Sequence, residues 1–369
     1  MLIVGAGIAG ASAAYFLAPH CRVTIIERED QPGYHTTGRS AALFAESYGN
    51  ATVRALTRAS RAFLESPPAG FAANPILTPR GHLVFASADQ SDALDAIAQD
   101  FAATGTRMQA LSGSRVRELV PVLRSDPARR GLLDAAAQDM DVHALHQGFL
   151  RGARANGARL VTGAELRAAE FSAGRWRIET GAGEFGAALL VNAAGAWVDE
   201  VARSCGARAI GIQPLRRTAI VFECAKFSGA HAWPMASDAH ETLYFRTETG
   251  RFLASPADET PSPPCDAQPD ELDIAMLIER LQAATSFELR RITAKWAGLR
   301  SFVADRTLVA GFDPRQAAFF WLAGQGGYGI QTCPAMGMIA AALVLGRQIP
   351  QALRDAGVAP ATLDPRRLL

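Results

Sequence analysis

The chain has 369 residues, more than one ordinary hydrophobic core accommodates, so two domains are expected. Apolar residues make up 49% of it and the formal net charge is +1 with no long basic run, which argues against nucleic acid or an anionic membrane as partner. The longest apolar stretch, Met336 to Leu345, is too short to cross a bilayer, so no transmembrane segment is expected. Five scattered cysteines (Cys21, Cys205, Cys224, Cys265, Cys333) lack paired spacing and read as reduced thiols of a cytoplasmic protein. No secretory n-region precedes the first strand, and so abrupt a start points to a few missing native residues.

In chain order, Leu2 to Val4 predicts a strand, Gly5-Ala6-Gly7-Ile8-Ala9-Gly10 a tight turn, and the residues through Leu17 a helix. Such a turn lets the backbone approach a pyrophosphate and aims a helix N-terminus at its charge. Arg22 to Ile26 reads as the next strand, ending at Glu27, whose carboxylate can accept both ribose hydroxyls. A glycine-marked polar loop, Gly33 to Ser40, follows, then a helix over Ala51 to Leu64 that stops at Pro67-Pro68. His82 to Ala86 predicts a strand, with helices at Ser91–Thr104 and Ser114–Leu119. Asp139, Asp141, His143 and His146 could sketch a metal site. The better reading makes Asp141 the N-cap of a helix to about Asn156, so no metal is expected.

Short strands are expected at Arg159–Thr162, Glu165–Phe171 and Arg175–Glu179, and Leu189 to Gly195 reads as a buried parallel strand. Pro214 to Ala257 is strand-like with turns, Pro256 to Pro269 a proline-rich surface loop, Gln268 to Thr285 a helix and Glu288 to Lys295 an alternating strand. Ala318 to Ala323 predicts another buried strand, and Pro334 to Leu345 the final helix. Between them lies a second glycine cluster, Gly324 to Thr332. Two such turns far apart in sequence call for a cofactor long enough to touch both, and FAD fits better than a nicotinamide dinucleotide. At the second turn, backbone N–H groups of Gly326, Gly327 and Gly329 would close on the flavin's pyrimidine end, where a helix N-terminus stabilises the charge of the reduced ring.

The blocks Gly5 to Gly10, Gly33 to Ala42, Leu189 to Ala202, Lys295-Trp296-Ala297-Gly298-Leu299-Arg300-Ser301 and Gly324 to Thr332 together resemble the D-amino acid oxidase-like flavoprotein family. Within it they are most similar to the D-arginine dehydrogenase type, down to Pro365-Arg366-Arg367-Leu368, and the likeness spans essentially the whole chain. The resemblance implies an α/β fold. A discontinuous Rossmann-like FAD domain of the glutathione-reductase type (1–80, 144–212 and 298–369) would interleave with an α+β substrate domain on a mixed sheet (81–143 and 213–297). It implies non-covalent FAD and oxidation of an amino acid by hydride transfer from Cα to flavin N5. The product would be an imino acid that hydrolyses to a 2-oxo acid and ammonia, with the electron acceptor open.

Carried over by position, Gly5, Gly7, Ile8, Ala9, Gly10, Glu27 and Arg28 would hold the dinucleotide, and Thr37, Arg39, Ser40, Ala41 and Ala42 would flank the ring. Ala194, Gly195 and Trp197 would pack along the cofactor's middle, although Trp197 is equally readable as a core aromatic. Gly298 with Gly326, Gly327, Tyr328, Gly329, Ile330, Gln331 and Thr332 would face the pyrimidine end. Arg217 and Arg300 match the family's carboxylate clamp, and Tyr244 and Tyr48 its substrate hydroxyls, with Tyr48 beside Gly49 on a possible lid. Alternation puts Arg216 and Arg217 on opposite faces of their strand, and only the resemblance selects Arg217.

Two positions depart from the D-arginine type: His82 stands where it has a carboxylate, and Leu43 where it has a histidine. A less acidic, more apolar side-chain pocket is expected. His35 could carry a covalent flavin, as a histidine near this loop does in some related amine dehydrogenases, but its surroundings match the non-covalent type. D-amino acid dehydrogenation or oxidation therefore leads, with a glycine- or sarcosine-type amine oxidase second. A tRNA-modifying flavoprotein is third and sits poorly with the balanced charge.

Overall fold

The computed structural model describes residues 1–103, 108–224, 227 and 230–368. It has an α/β fold built on mixed sheets. The first sheet has six strands in the order Val309–Phe312, Phe319–Ala323, Leu190–Asn192, Leu2–Val4, Thr24–Ile26, Arg159–Val161. All neighbours run parallel except the first pair. Leu2–Val4 and Leu190–Asn192 are buried throughout, as strands covered on both faces must be. Helices Ile8–Leu17, Ala51–Glu65, Val142–Ala155 and Gly329–Val344 cover one face. The other carries the antiparallel sheet Leu166–Ser172, Arg175–Thr180, Gly183–Ala187, whose buried Trp176 donates to the Ala318 carbonyl at 2.8 Å.

Helix Ile8–Leu17 and helix Gly329–Val344 lie against each other through small residues. A Cβ on Gly337 would stand 2.8 Å from the Phe16 ring and 2.9 Å from the Ser12 carbonyl oxygen, so the two backbones meet closely only because that position is glycine.

The second sheet has nine strands. Its order is Thr260–Pro261, Gln213–Glu223, Arg251–Ser255, Tyr244–Glu248, Met235–Asp238, His82–Ala86, Arg130–Asp134, Gln109–Ser112. Strand Arg291–Phe302 pairs antiparallel along the other edge of Gln213–Glu223, from Gln213↔Phe302 to Glu223↔Arg291 with one bulge. Helix Glu271–Ala284 buries Ile274, Leu277 and Leu281 in the core over this sheet.

Several elements differ from the sequence expectation. The alternating strand is Arg291–Phe302 instead of Glu288–Lys295, because its ladder with Gln213–Glu223 continues through Trp296 to Phe302. Helix Gly329–Val344 starts at the glycine turn, five residues before Pro334. The Ile330 carbonyl, which Pro334 cannot bond, accepts the Cys333 Sγ–H at 3.1 Å and the helix passes through. It is not the last helix, since Gln351–Asp355 follows. Strand Gly183–Ala187 was not anticipated, and strand Thr24–Ile26 begins two residues late. The expected helix end at Thr104 lies outside the described residues.

Replacing Gly337 by Val should separate the two helices and lower stability by roughly 1–3 kcal/mol, the cost of overpacking a filled core. A fall in thermal melting temperature together with weaker flavin retention is the expected result.

Candidate functional site

Two cavities open beyond the C-terminal ends of the parallel strands, of about 290 and 210 Å³. Both are lined by Gly7, Thr36, Thr37, Ala193 and Gly195, so they form one continuous cleft. Its walls are the loops that follow Val4, Ile26 and Asn192, the usual position for a ligand in a parallel sheet.

The smaller cavity is the fingerprint end. Gly5 has φ +98°, and an added Cβ would sit 2.6 Å from the Ala193 carbonyl, while one on Gly10 would overlap the Gly5 oxygen at 1.9 Å. Gly10 thus keeps the helix tight on the turn and does not itself line either cavity. The Glu27 carboxylate accepts from the Ala6 and Glu29 N–H groups at 2.8 and 3.0 Å, and Thr37 Oγ1 caps the helix by accepting from Ile8 N–H at 3.0 Å. Arg28 pairs with Glu165 at 2.9 Å and lies over the Trp197 ring at 4.8 Å. His35 approaches the same ring at 4.7 Å, so Trp197 is a half-buried wall of this cavity between a guanidinium and an imidazole. His146 donates Nε2–H to the Ala6 carbonyl at 2.8 Å and braces the turn from behind.

The larger cavity is lined by Ile8, Ala9, Arg39, Ser40, Ala41, Ala42 and Leu43 on one side. Gly298, Gly326, Gly327, Gly329, Ile330 and Gln331 line the other. Arg39 is committed to the protein: its guanidinium donates to the Ala267 and Ala297 carbonyls at 2.9 Å and pairs with Asp266. Gln331 is committed as well, accepting from Ala45 N–H and donating to Thr57 Oγ1. Tyr328 and Thr332 stand behind the wall. Tyr328 caps helix Gly329–Val344, packs edge-on to Tyr48 at 5.1 Å and has its pKa pushed up to about 12 by burial and by Tyr48. The Thr332 hydroxyl donates to the Tyr328 carbonyl at 2.9 Å.

The ladder between Gln213–Glu223 and Arg291–Phe302 brings two arginines together. Arg217 lies opposite Gly298, so Arg300 is its diagonal neighbour on the same face, while Arg216 pairs with Asp273 at 2.8 Å beneath. Arg217 donates Nε–H to the Asp258 carbonyl at 2.8 Å, and its Nη2 lies 3.4 Å from Glu259. Arg300 is enclosed, and its hydrogen bond goes to a neutral group: Nη1 donates to Tyr48 Oη at 3.2 Å, with no ion pair among the described residues. Burial disfavours its charge, but Tyr48, Tyr244 and Glu259 outweigh that, and the pKa is raised. A Cβ on Gly327 would reach 3.0 Å from Arg300 Nη1, so only glycine leaves that guanidinium its place.

The far wall combines His82 with apolar Leu43, Val84, Ile97, Phe101 and Leu243. His82 shares a 2.9 Å hydrogen bond with Ser237, and burial, opposed by Asp134, lowers its pKa to about 4, so the ring is neutral near pH 7. Glu46 is taken by Arg61 at 2.7 Å, whereas Glu241 reaches the cavity from the tip of a hairpin. Sequence reasoning passed over Ser237, Gln325 and Glu259. Gln325 lies inside the glycine cluster without a role read for it, and the other two carry no motif.

The chain matches the FAD dependent oxidoreductase family over residues 1–343 and belongs to it. Glycerol-3-phosphate dehydrogenase 1 of Mycobacterium tuberculosis is 30% identical over 62% of the chain, which spans about half (46%) of that relative's length. Glycine oxidase of Bacillus licheniformis is 25% identical over 94% of the chain and 93% of its own. Among solved structures, L-proline dehydrogenase from P. horikoshii superposes with a TM-score of 0.83 at 19% identity, over 99% of this chain and 96% of the other. Glycine oxidase from Geobacillus kaustophilus does so at 0.82 and 21%, over 94% of each. These two establish the shared fold.

FAD is the cofactor, and the cleft fits it. Among the described residues, each cavity is lined by a residue with a buried nitrogen that has no hydrogen-bond partner, His35 Nδ1 in the smaller and Gln325 Nε2 in the larger. Residues Glu27, Arg28, Trp197 and His35 would hold the nucleotide end, and the Gly326–Gly329 turn the ring. His35 lines the smaller cavity, and not the larger one where the ring would lie. Acid precipitation of the purified yellow protein should therefore release all flavin to the supernatant. Flavin retained on the pellet would show a covalent link.

Proposed function

We propose that this flavoprotein oxidises an amino acid at its Cα–N bond, with D-amino acids bearing neutral or apolar side chains as preferred substrates. One observation carries the reading: Arg300, an enclosed guanidinium with no ion pair among the described residues, faces the same cavity as Arg217, Tyr48 and Tyr244. A carboxylate of the substrate would complete that charge through paired N–H donors, as planar guanidinium groups favour. FAD, when bound, supplies the two-electron acceptor for hydride leaving Cα. The chain's own residues do the rest. Arg300 and Arg217 fix the carboxylate, Tyr48 and Tyr244 add hydroxyl donors, and Gly298 leaves room between Arg217 and the 36–39 loop. Fixing one end of a zwitterion in this way orients Cα toward the ring.

The neutral His82 and its apolar neighbours form the side-chain pocket under this reading. The glycine oxidases among its relatives raise a second reading, a glycine- or sarcosine-type amine oxidase. The apolar wall favours a substrate with a side chain to bury over glycine. We assign the cofactor to residues 1–80, 144–212 and 298–369 and the substrate to 81–143 and 213–297. The five unpaired thiols suit a cytoplasmic setting.

Arg300→Ala and Arg217→Ala should each slow flavin reduction, at a cost of roughly 2–5 kcal/mol in kcat/KM, while FAD stays bound. Wild-type reduction rates in both variants would place the carboxylate elsewhere. In anaerobic stopped-flow, D-methionine and D-phenylalanine should reduce the flavin with kcat/KM about ten- to a hundredfold above D-arginine. A preference for D-arginine would show that an acidic partner, Glu241 foremost, has taken over cation recognition.

A further inference from the structure

One arginine of the carboxylate subsite, Arg217, already faces a carboxylate of the protein. Glu259 stands at the head of strand Thr260–Pro261, which pairs with Leu215 and Arg216 at the start of Gln213–Glu223. Its Oε1 lies 3.4 Å from Arg217 Nη2, and both its oxygens accept from Arg306 Nη2 at 2.7 and 2.8 Å. It is also near enough to Arg300 to favour that residue's charge. Arg306 is held from behind, its guanidinium 4.1 Å from the centre of the Phe302 ring. The backbone before Glu259 is pinned too: the Asp258 carboxylate accepts from the Thr218 N–H and hydroxyl at 2.6 and 3.0 Å, and its carbonyl takes Arg217 Nε–H. Glu259 is thus a carboxylate on a fixed stem, bound tightly to an outer arginine and loosely to an inner one.

We propose that Glu259 is a positioning residue, the internal counter-ion of the clamp. It holds Arg217 in the cavity before substrate arrives and gives up that arginine to the substrate carboxylate while staying tied to Arg306. The strength with which the site holds any carboxylate is then set by this competition. The role rests on the carboxylate reading of Arg217 and Arg300. Two substitutions separate its two parts. Glu259→Gln keeps an oxygen acceptor for both arginines and removes the competing charge, so it should tighten carboxylate binding. Arg306→Met removes the outer partner, leaves Glu259 free to close on Arg217, and should loosen it.

Benzoate, a carboxylate without an amine, measures this apart from catalysis through its perturbation of the flavin spectrum in the FAD-loaded protein. Glu259→Gln should lower the benzoate Kd by roughly three- to tenfold, the scale of one charge removed several ångströms away in a partly solvated site. Arg306→Met should raise it by a similar factor. A responsive wild type with a Kd unchanged or raised in Glu259→Gln, or unchanged in Arg306→Met, overturns the role of Glu259 alone. A wild type that does not bind benzoate overturns the clamp and this role with it.

Discussion

The close contact of helices Ile8–Leu17 and Gly329–Val344 is the constraint on which the cleft depends. Each helix begins in a glycine turn, so their packing through Gly337, Ser12 and Phe16 brings two turns from opposite ends of the chain beside one cleft. Both helix N-termini then turn the positive partial charge of their first backbone N–H groups toward it. The first turn is held by side chains from outside the helix: Glu27 on Ala6, Thr37 on Ile8 and His146 on the Ala6 carbonyl. The second is held by Gln331, which reaches both Ala45 and Thr57.

The other half of the site follows from register. Pairing of Arg217 with Gly298 places Arg300 on the same face and sends Arg216 to the acidic residues of the helix below. Enclosing Arg300 with no ion pair among the described residues is unfavourable in isolation, and the neighbouring tyrosines and the Glu259 carboxylate outweigh that cost. A fold that keeps such a group keeps a standing attraction for anions, which is a property of a binding site more than of a core.

Much of this was legible in the chain. The fingerprint, the buried strands and the glycine cluster announce themselves because glycine and continuous apolar runs have few other uses. Helix Val142–Ala155 was readable from its Asp141 cap, which accepts from the Ala144 N–H at 2.8 Å. The start of helix Gly329–Val344 was not, because a proline normally marks a first turn and here it stands inside the helix, where the Cys333 thiol takes up the carbonyl it leaves free. Strand Arg291–Phe302 was misplaced because alternation alone does not say where a partner strand begins and ends. Ser237 and Glu259 were invisible for a related reason: each matters only through a residue distant in sequence that the sheet brings alongside.

The continuous ladder of Gln213–Glu223 with Arg291–Phe302 has one more consequence. It carries the arginines at one end, and its last residues, Gly298 to Ser301, border the cofactor cavity. Both strands belong to the nine-stranded sheet, so the two arginines and the glycine between them ride on one hydrogen-bonded ribbon and cannot shift against each other without breaking its bonds, a cost far above that of loop motion. Arg217, Gly298 and Arg300 therefore keep their mutual spacing whatever the loops around the cleft mouth do. The floor of the cavity is stationary by construction, and accommodation of whatever enters it falls to the loops at its rim.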